Sequence, residues 1–171
     1  HGLSAQVALR GGAKGAGSDT SFVQGWGNAR WFQGIGQADR LILRAEGGAT
    51  WSQDPIALSP SLRFFAGGDR SIRGYAWREV GPRRGDYALG AKNVLTGSVE
   101  YEFYPKGGPY GGAVFVDTGS AFDGTRPQLS TGIGVGLRWR SPVGPVRLDI
   151  AHGLDDPDSS FQLYLNIGTD L

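Results

Sequence analysis

The sequence predicts an all-β fold: an antiparallel transmembrane β-barrel segment of about eight strands. Three observations predict this class. Apolar residues recur at every second position, the connections between the predicted strands alternate between short and long, and no stretch approaches 18 consecutive apolar residues. Because a helical span needs such a stretch, only strands could carry this chain across a membrane.

The composition excludes several other classes. The chain has 171 residues and no cysteine, which rules out a disulfide scaffold, a thiolate metal site and a thiol enzyme. Thirty of the residues are glycine, about two and a half times the usual share, which disfavours long helices. A formal net charge of +1 gives no concentration of basic residues for nucleic acid.

The alternation defines the strands. In chain order they run roughly over 2–10, 21–33, 40–50, 95–103, 112–118, 133–140, 146–151 and 161–167. The last is the clearest, with one apolar face and one polar face. Its apolar face carries Phe161, Leu163, Leu165 and Ile167, and its polar face carries Gln162, Tyr164 and Asn166. In a soluble sandwich the apolar faces meet each other, whereas in an outer-membrane barrel they meet lipid, so alternation alone leaves both open.

The lengths of the connections favour the barrel. The predicted short connections are 34–38, 105–110 and 141–145, and the long ones are 11–19, 52–89, 119–130 and 153–159. Short and long alternate strictly along the chain, so in an antiparallel meander all the long connections share one end of the sheet. This is the pattern of short periplasmic turns and long outer loops. Aromatic residues at the ends of the apolar rows, such as Trp139, fit the aromatic girdles of these barrels.

The connection over 52–89 is too long for a passive hairpin tip. Residues 64–75 within it read FFAGGDRSIRGY and resemble the sixth-loop motif of the Omp85 superfamily, outer-membrane barrels that insert or translocate proteins. The resemblance continues through the strand at 98–102, the strand end at 116–119 and the strand at 134–139. It covers essentially the whole chain in several ordered motifs.

The resemblance implies that the long loop folds back into the barrel and is fixed there. The corresponding residues are Ile72, Arg73, Gly74 and Tyr75, and the carboxylates expected to pair with Arg73 on the barrel wall are Glu100 and Asp117. Alternation independently puts Glu100 on a polar face. For Asp117 the pattern is ambiguous, because Val114 and Val116 face outward only if Phe115 faces inward.

Within the superfamily, residues 17–20, 41–46 and 167–171 are most similar to the TamA branch, with the BamA branch next. The TamA resemblance implies a bacterial outer-membrane protein, in contact with outer-membrane lipid, that assembles client outer-membrane proteins such as autotransporters with a periplasmic TamB-like partner. Incoming strands would pair at a lateral seam between the first and last strands of the barrel, and the apolar row of the last strand runs from Phe161 to Ile167. The terminal residue of the C-terminal signal is often aromatic in this family, and here it is Leu171.

Size limits what the chain can form alone. An eight-stranded barrel is just filled by its own side chains, so a hairpin of about 25 residues does not also fit inside. We therefore expect residues 1–171 to be the C-terminal half of a sixteen-stranded barrel, with the periplasmic POTRA modules and the first eight strands absent. Since open strand edges are unstable in lipid, another chain, a second copy or the missing half is expected to close it.

No residue pattern indicates catalysis, a metal or a cofactor. His152 has no G-x-S-x-G nucleophile elbow to serve, Gly132, Gly134 and Gly136 lie in a predicted strand, and the acidic run at 155–158 lacks the EF-hand spacing. The chain is thus expected not to be an enzyme. The alternatives to a TamA-like assembly barrel are a BamA-type insertase, a two-partner secretion transporter, a passive outer-membrane channel and a soluble β-sandwich.

Overall fold

A computed structural model describes residues 1–15, 20–54, 58–155 and 160–168. Ten strands lie in those residues: β1 Gly2–Gly12, β2 Phe22–Ile35, β3 Asp39–Ser52, β4 Arg83–Arg84, β5 Tyr87–Ala88, β6 Asn93–Phe103, β7 Tyr110–Phe122, β8 Ser130–Ser141, β9 Gly144–Gly153 and β10 Gln162–Ile167. Short 3-10 turns occur at Pro60–Leu62 and Pro105–Gly107. No helix in this part of the chain is long and apolar enough to cross a membrane.

Eight of the strands form one antiparallel sheet in the order β1-β2-β3-β6-β7-β8-β9-β10, and β4 pairs with β5 in a small hairpin. Chain neighbours are also sheet neighbours, which is the meander that the sequence predicts. Among the described strands β1 and β10 form the two edges and do not pair with each other. The predicted all-β antiparallel fold is confirmed, and most strands extend beyond their predicted ends.

The two faces of the sheet are inverted relative to a soluble sandwich. On β6, Leu95 and Val99 are 48% and 51% exposed, whereas Glu100 and Glu102, which follow them, are each 1% exposed. The charged residues therefore face the covered, inner side and the apolar residues face outward. This is the arrangement of a membrane barrel, in which the outer face meets hydrocarbon.

The same inversion settles the orientation of β7. Phe115 is buried on the inner face, and its neighbours Val114 and Val116 are exposed on the outer face. Asp117, two positions after Phe115, consequently lies on the inner face as well, where it is fully buried.

The connections alternate in length as predicted. Those at 36–38, 104–109 and 142–143 are short, and those at 13–21, 53–92, 123–129 and 154–161 are longer. Because the sheet is a meander, the long connections lie at one end of it and the short ones at the other.

The connection 53–92 folds over the inner face and builds a small apolar core against it. This core contains Ala66, Ile72, Tyr75, Val80, Ala91, Val94 and Ala121, with Trp26 and Phe64 packed against it. Phe64 is bound to Ala91 by two backbone hydrogen bonds of 2.8 Å. Its ring occupies the space where Gly48 of β3 has no side chain, since a Cβ there would lie 2.5 Å from the ring.

Candidate functional site: the Arg73 cluster on the inner face

A group of charged residues lies together on the inner face and is here named the Arg73 cluster. It consists of Arg73 and Arg138 with the carboxylates of Glu100, Glu102, Asp117 and Asp149. All six side chains are buried. Arg73 comes from the long connection, and the other five come from β6, β7, β8 and β9. The cluster therefore joins the connection to four neighbouring strands.

A glycine turn aims Arg73 at the sheet. Gly67 and Gly68 both have positive φ values, +106° and +103°, a conformation that glycine adopts without steric cost. The turn is closed by a hydrogen bond from the Gly67 N–H to Ser71 Oγ at 2.8 Å and by another from the Gly68 N–H to the Ile72 carbonyl at 3.2 Å. Ile72 packs into the apolar core, which leaves Arg73 directed at the charged face.

Asp117 holds Arg73 through three hydrogen bonds. Arg73 donates from Nε to Oδ2 at 2.7 Å, from Nη2 to Oδ1 at 3.0 Å and from its backbone N–H to Oδ2 at 3.0 Å. The first two form the bidentate fork that fits guanidinium to carboxylate. Because the backbone donates as well, Asp117 fixes the path of the chain at residue 73 in addition to the side chain.

The remaining guanidinium nitrogen reaches two more carboxylates. Nη1 of Arg73 lies 2.7 Å from Oε2 of Glu100 and 3.1 Å from Oδ2 of Asp149, and the guanidinium carbon stands 3.4 Å above the centre of the Phe115 ring. Burial by itself lowers the pKa of Arg73, but the hydrogen bonds and negative charge of Asp117, with those of Glu100 and Asp149, outweigh burial and raise it. Arg73 is therefore permanently charged in this site.

Arg138 of β8 completes the cluster. It donates to Glu100 Oε1 at 2.7 Å, to Glu102 Oε1 at 2.9 Å and to Asp149 Oδ1 at 2.5 Å. Glu100 and Asp149 are thus shared between the two arginines. Removing either arginine would leave buried carboxylates without their main partner, which is costly in a protein interior.

Less buried arginines surround the cluster. Arg147 donates to Glu100 at 2.9 Å, Arg40 is paired with Glu102, and Arg44 lies 3.7 Å from Asp117. Four carboxylates against two buried arginines leave an excess of two negative charges, and the three outer arginines more than offset it. Their position towards solvent makes their individual contributions smaller than that of Arg73.

Glycines let the connection approach the sheet closely. Gly74 has φ +102°, and a Cβ there would lie 2.6 Å from the carbonyl carbon of His152. On the sheet side, a Cβ at Gly132 of β8 would collide with the carbonyl oxygen of Arg73. Gly134 and Gly136 follow on the same face of β8, where Cβ atoms would collide with the Phe115 ring and the Asp149 carboxylate, respectively.

Tyr75 anchors the end of this segment. Its hydroxyl lies 3.2 Å from the carbonyl oxygen of Thr131 and 3.1 Å from Oδ2 of Asp155, and it accepts a hydrogen bond from the Asp155 N–H at 3.2 Å. Burial raises the pKa of the Tyr75 hydroxyl. The backbone of this segment is held as well, because the hydroxyl of Tyr164 on β10 contacts the Gly74 N–H and the Tyr75 carbonyl oxygen.

The apolar row proposed for the seam lies on the outer side. Phe161, Leu163, Leu165 and Ile167 are all between 62% and 72% exposed, and the ring of Phe161 packs at 5.0 Å from that of His152. Leu171 and the two residues before it lie outside the described residues, as do 17–19 of the first TamA-like segment.

Sequence reasoning named Arg73, Glu100 and Asp117, and the structure brings these three together. It assigned no role in this site to Asp149, Arg138, Tyr164 or Gly132. The alternation places the first three on polar faces, which is the only signal for them in the sequence. Which polar residues meet depends on strand register, which the alternation does not give.

Within the part of the chain that the structure describes, no group of three or more His, Cys, Asp or Glu side chains is arranged so that it could hold a metal ion. Of the acidic run that was considered for Ca²⁺, Asp155 is engaged with Tyr75 and Thr131, while residues 156–158 lie outside the described ranges.

Comparison with known proteins gives consistent matches. The chain is 34% identical over 137 residues to the chloroplastic outer envelope protein 80 of Arabidopsis thaliana, covering 73% of this chain and 17% of that protein. It is 28% identical over 151 residues to the outer membrane protein assembly factor BamA of Nitratidesulfovibrio vulgaris, covering 82% and 19%. The chain thus spans about a fifth of the length of these relatives.

Structural comparison agrees. The crystal structure of BamA from Haemophilus ducreyi lacking POTRA domains 1-3 superposes with a TM-score of 0.75 at 18% identity, over 96% of this chain and 37% of that one. The match to the bacterial relative BamA confirms the predicted location in the bacterial outer membrane. The family model described as the Omp85 superfamily domain matches residues 1–171, and the chain therefore belongs to the Omp85 superfamily.

Proposed function

We propose that this chain is the C-terminal half of a sixteen-stranded outer-membrane barrel that assembles or inserts other outer-membrane proteins without a cofactor and without catalysing a reaction. Family membership supports the general activity. The two unpaired edges of the sheet support the proposal that it is one half of a larger barrel, since open edges in lipid leave backbone groups unsatisfied. The missing half, or another chain, supplies the closing strands.

The observation that supports the proposal is the binding of Arg73 by the carboxylates of Glu100, Asp117 and Asp149, here called the seating of Arg73. One loop side chain binds three buried carboxylates from three strands, which is far more than a passive pore needs to keep a loop in place. The segment 72–75 contacts every strand from β6 to β10. We propose that it holds this half of the wall in one shape while the sheet edge remains available to clients.

The working surface in this proposal is the edge of β10. Its backbone pairs with β9 on one side, and its other side has no partner among the described strands. An incoming client strand would add there by β-augmentation when the seam between β10 and the closing strands is open, with the apolar row of β10 facing outer-membrane lipid.

A finer proposal concerns the branch of the superfamily. Residues 41–46 and 167–171 resemble the TamA branch, which would imply autotransporter clients and a periplasmic TamB-like partner. The relatives named BamA favour a general insertase instead. The upstream gene sequence discriminates between the two: three POTRA modules before the barrel would favour the TamA branch, and five the BamA branch.

The experiment changes Arg73 to alanine in the full-length protein and measures how much of an autotransporter client reaches its folded, outer-membrane form. We expect assembly to fall several-fold. Arg73→Lys keeps the charge but loses the fork, so it should be impaired as well. The matched control is Arg70→Ala, which removes an exposed arginine three positions earlier in the same loop. Unimpaired assembly in Arg73→Ala would contradict the proposed role of the loop.

A further inference from the structure

The last strand has the shortest ladder in the main sheet. β10 pairs with β9 over six residues, from Gln162 opposite Ala151 to Ile167 opposite Val146. Every other neighbouring pair in that sheet is joined over ten residues or more. A short ladder at a free edge opens easily, so the stability of β10 depends more on its other contacts.

Tyr164 provides such a contact. It lies in the middle of β10 and its side chain reaches from the inner face to the long connection. Its hydroxyl accepts a hydrogen bond from the Gly74 N–H at 3.1 Å and donates one to the Tyr75 carbonyl oxygen at 2.9 Å. The hydroxyl thus satisfies one donor and one acceptor of the backbone, and both would lose their partner without it.

These two backbone groups follow directly after the residue that Asp117 fixes. The Arg73 N–H binds Asp117 Oδ2 at 3.0 Å, and the Gly74 N–H one residue later binds Tyr164. The backbone at Gly74 packs closely against β9, since a Cβ there would lie 2.6 Å from the carbonyl carbon of His152. A displacement of Arg73 from Asp117 therefore moves the groups that Tyr164 holds.

We propose that Tyr164 is a positioning residue that links the seating of Arg73 to the pairing of β10 at the sheet edge. When Arg73 occupies its three carboxylates, Tyr164 is held in place and β10 stays on β9. When Arg73 leaves them, Tyr164 loses its partners and the edge strand loosens. The use of this link in client assembly rests on the function proposed above, whereas the link itself does not.

The test is amide hydrogen exchange, measured by mass spectrometry on the full-length protein in lipid. Tyr164→Phe removes only the hydroxyl and keeps the ring. Since two hydrogen bonds are lost, we expect the amides of 162–167 to exchange on the order of ten-fold faster, with those of β6 and β7 unchanged. The matched control is Tyr101→Phe, which removes a tyrosine hydroxyl that binds Asp39 at 2.7 Å, away from the Arg73 cluster.

A double-mutant cycle tests whether Tyr164 links Arg73 to β10 or only packs against the loop. Arg73→Lys, which weakens the seating without removing the charge, should also speed exchange in β10. In the protein carrying both changes, exchange in β10 should match that of the faster single variant within about two-fold, because both changes break the same connection. If the two changes acted independently, their effects on the exchange rate of β10 would multiply in the double variant, and that result would overturn the proposal.

Two other results would overturn it: exchange in β10 of Tyr164→Phe equal to that of the unchanged protein, or faster exchange to the same extent throughout the sheet. Client assembly is measured on the same samples. If β10 loosens locally and assembly remains unchanged, the link stands and the proposed use of the β10 edge is wrong. If exchange in β10 does not change while Arg73→Ala abolishes assembly, the link is wrong and the proposed function stands.

Discussion

The two edges of the sheet are stabilised in different ways. β1 pairs with β2 over eleven residues, from Gly2 opposite Phe32 to Gly12 opposite Phe22, whereas β10 has six pairs with β9. On β1 both faces are largely exposed, while the inner residues of β10 are partly buried under the long connection. A long ladder thus holds the first edge, and a short ladder with a side-chain contact to the loop holds the second.

The position of the loop explains this difference. The segment 72–75 lies over β6 to β10, and an open space of about 660 Å³ separates the connection from β1, bordered by residues such as Ser4, Gln6 and Arg70. In the part of the connection that the structure describes, no hairpin packs against the inner face near β1. The inward-folded loop therefore supports one side of this sheet and leaves the other side to its backbone ladder.

The largest expected effect is that of Arg73→Ala. Removing one partner of a buried, hydrogen-bonded charge cluster typically costs 3–5 kcal/mol, here because Asp117 and Glu100 stay buried. We expect the free energy of unfolding of the full-length protein, from denaturant titration in lipid, to fall by about that amount. Arg70→Ala should leave it nearly unchanged. If Arg73→Ala lowered the free energy of unfolding by less than about 1 kcal/mol, β10 as well as β1 would depend on its backbone ladder alone.

A smaller effect is expected from Gly132→Ala, which adds a methyl group where the Arg73 carbonyl oxygen approaches β8. The segment must move away or β8 must bend, at a cost of about 1–3 kcal/mol, as for other overpacked sites. The matched control is Gly97→Ala on β6, where a Cβ meets nothing within 4 Å. Equal unfolding free energies for the two variants would contradict the close packing of loop and sheet.

Tyr75→Phe tests the C-terminal end of the loop segment 72–75. Losing the hydroxyl removes the acceptor of the Asp155 N–H and a contact to Thr131, for which about 1 kcal/mol is expected. The measurement is the exchange rate of the Asp155 amide, which should increase by about five-fold. An unchanged rate would mean that another group holds the start of the β9–β10 connection.

The smallest effect is expected at the opposite edge. Gln6 lies on the inner face of β1 and is exposed, so Gln6→Ala should change the free energy of unfolding by less than about 0.5 kcal/mol. Exchange in β1 should also remain as it was. A clear loosening of β1 would mean that this edge, like β10, depends on an inner side-chain contact.

The sequence predicted much of this arrangement from two signals. Alternation assigned the faces, and the motif around Arg73 indicated which arginine turns inward and that Glu100 would meet it. The orientation of Asp117 stayed open because apolar residues occupy both faces of β7, and only the burial of Phe115 decides it. The parts that were missed, such as the pairing of Arg138 with Asp149, arise from the register of neighbouring strands and from the path of the loop.

The bare inner surface of β8 has a consequence for the order in which the barrel forms. Gly132, Gly134 and Gly136 contribute no side chains there, and their space is taken by the Arg73 backbone, by Phe115 and by Asp149. A wall completed with the loop still outside would leave the surface at Gly132 without its packing partner and the buried carboxylate of Asp117 without Arg73, and a buried charge without its partner is destabilising. The connection and β8 are therefore expected to come together early, before the wall closes around them.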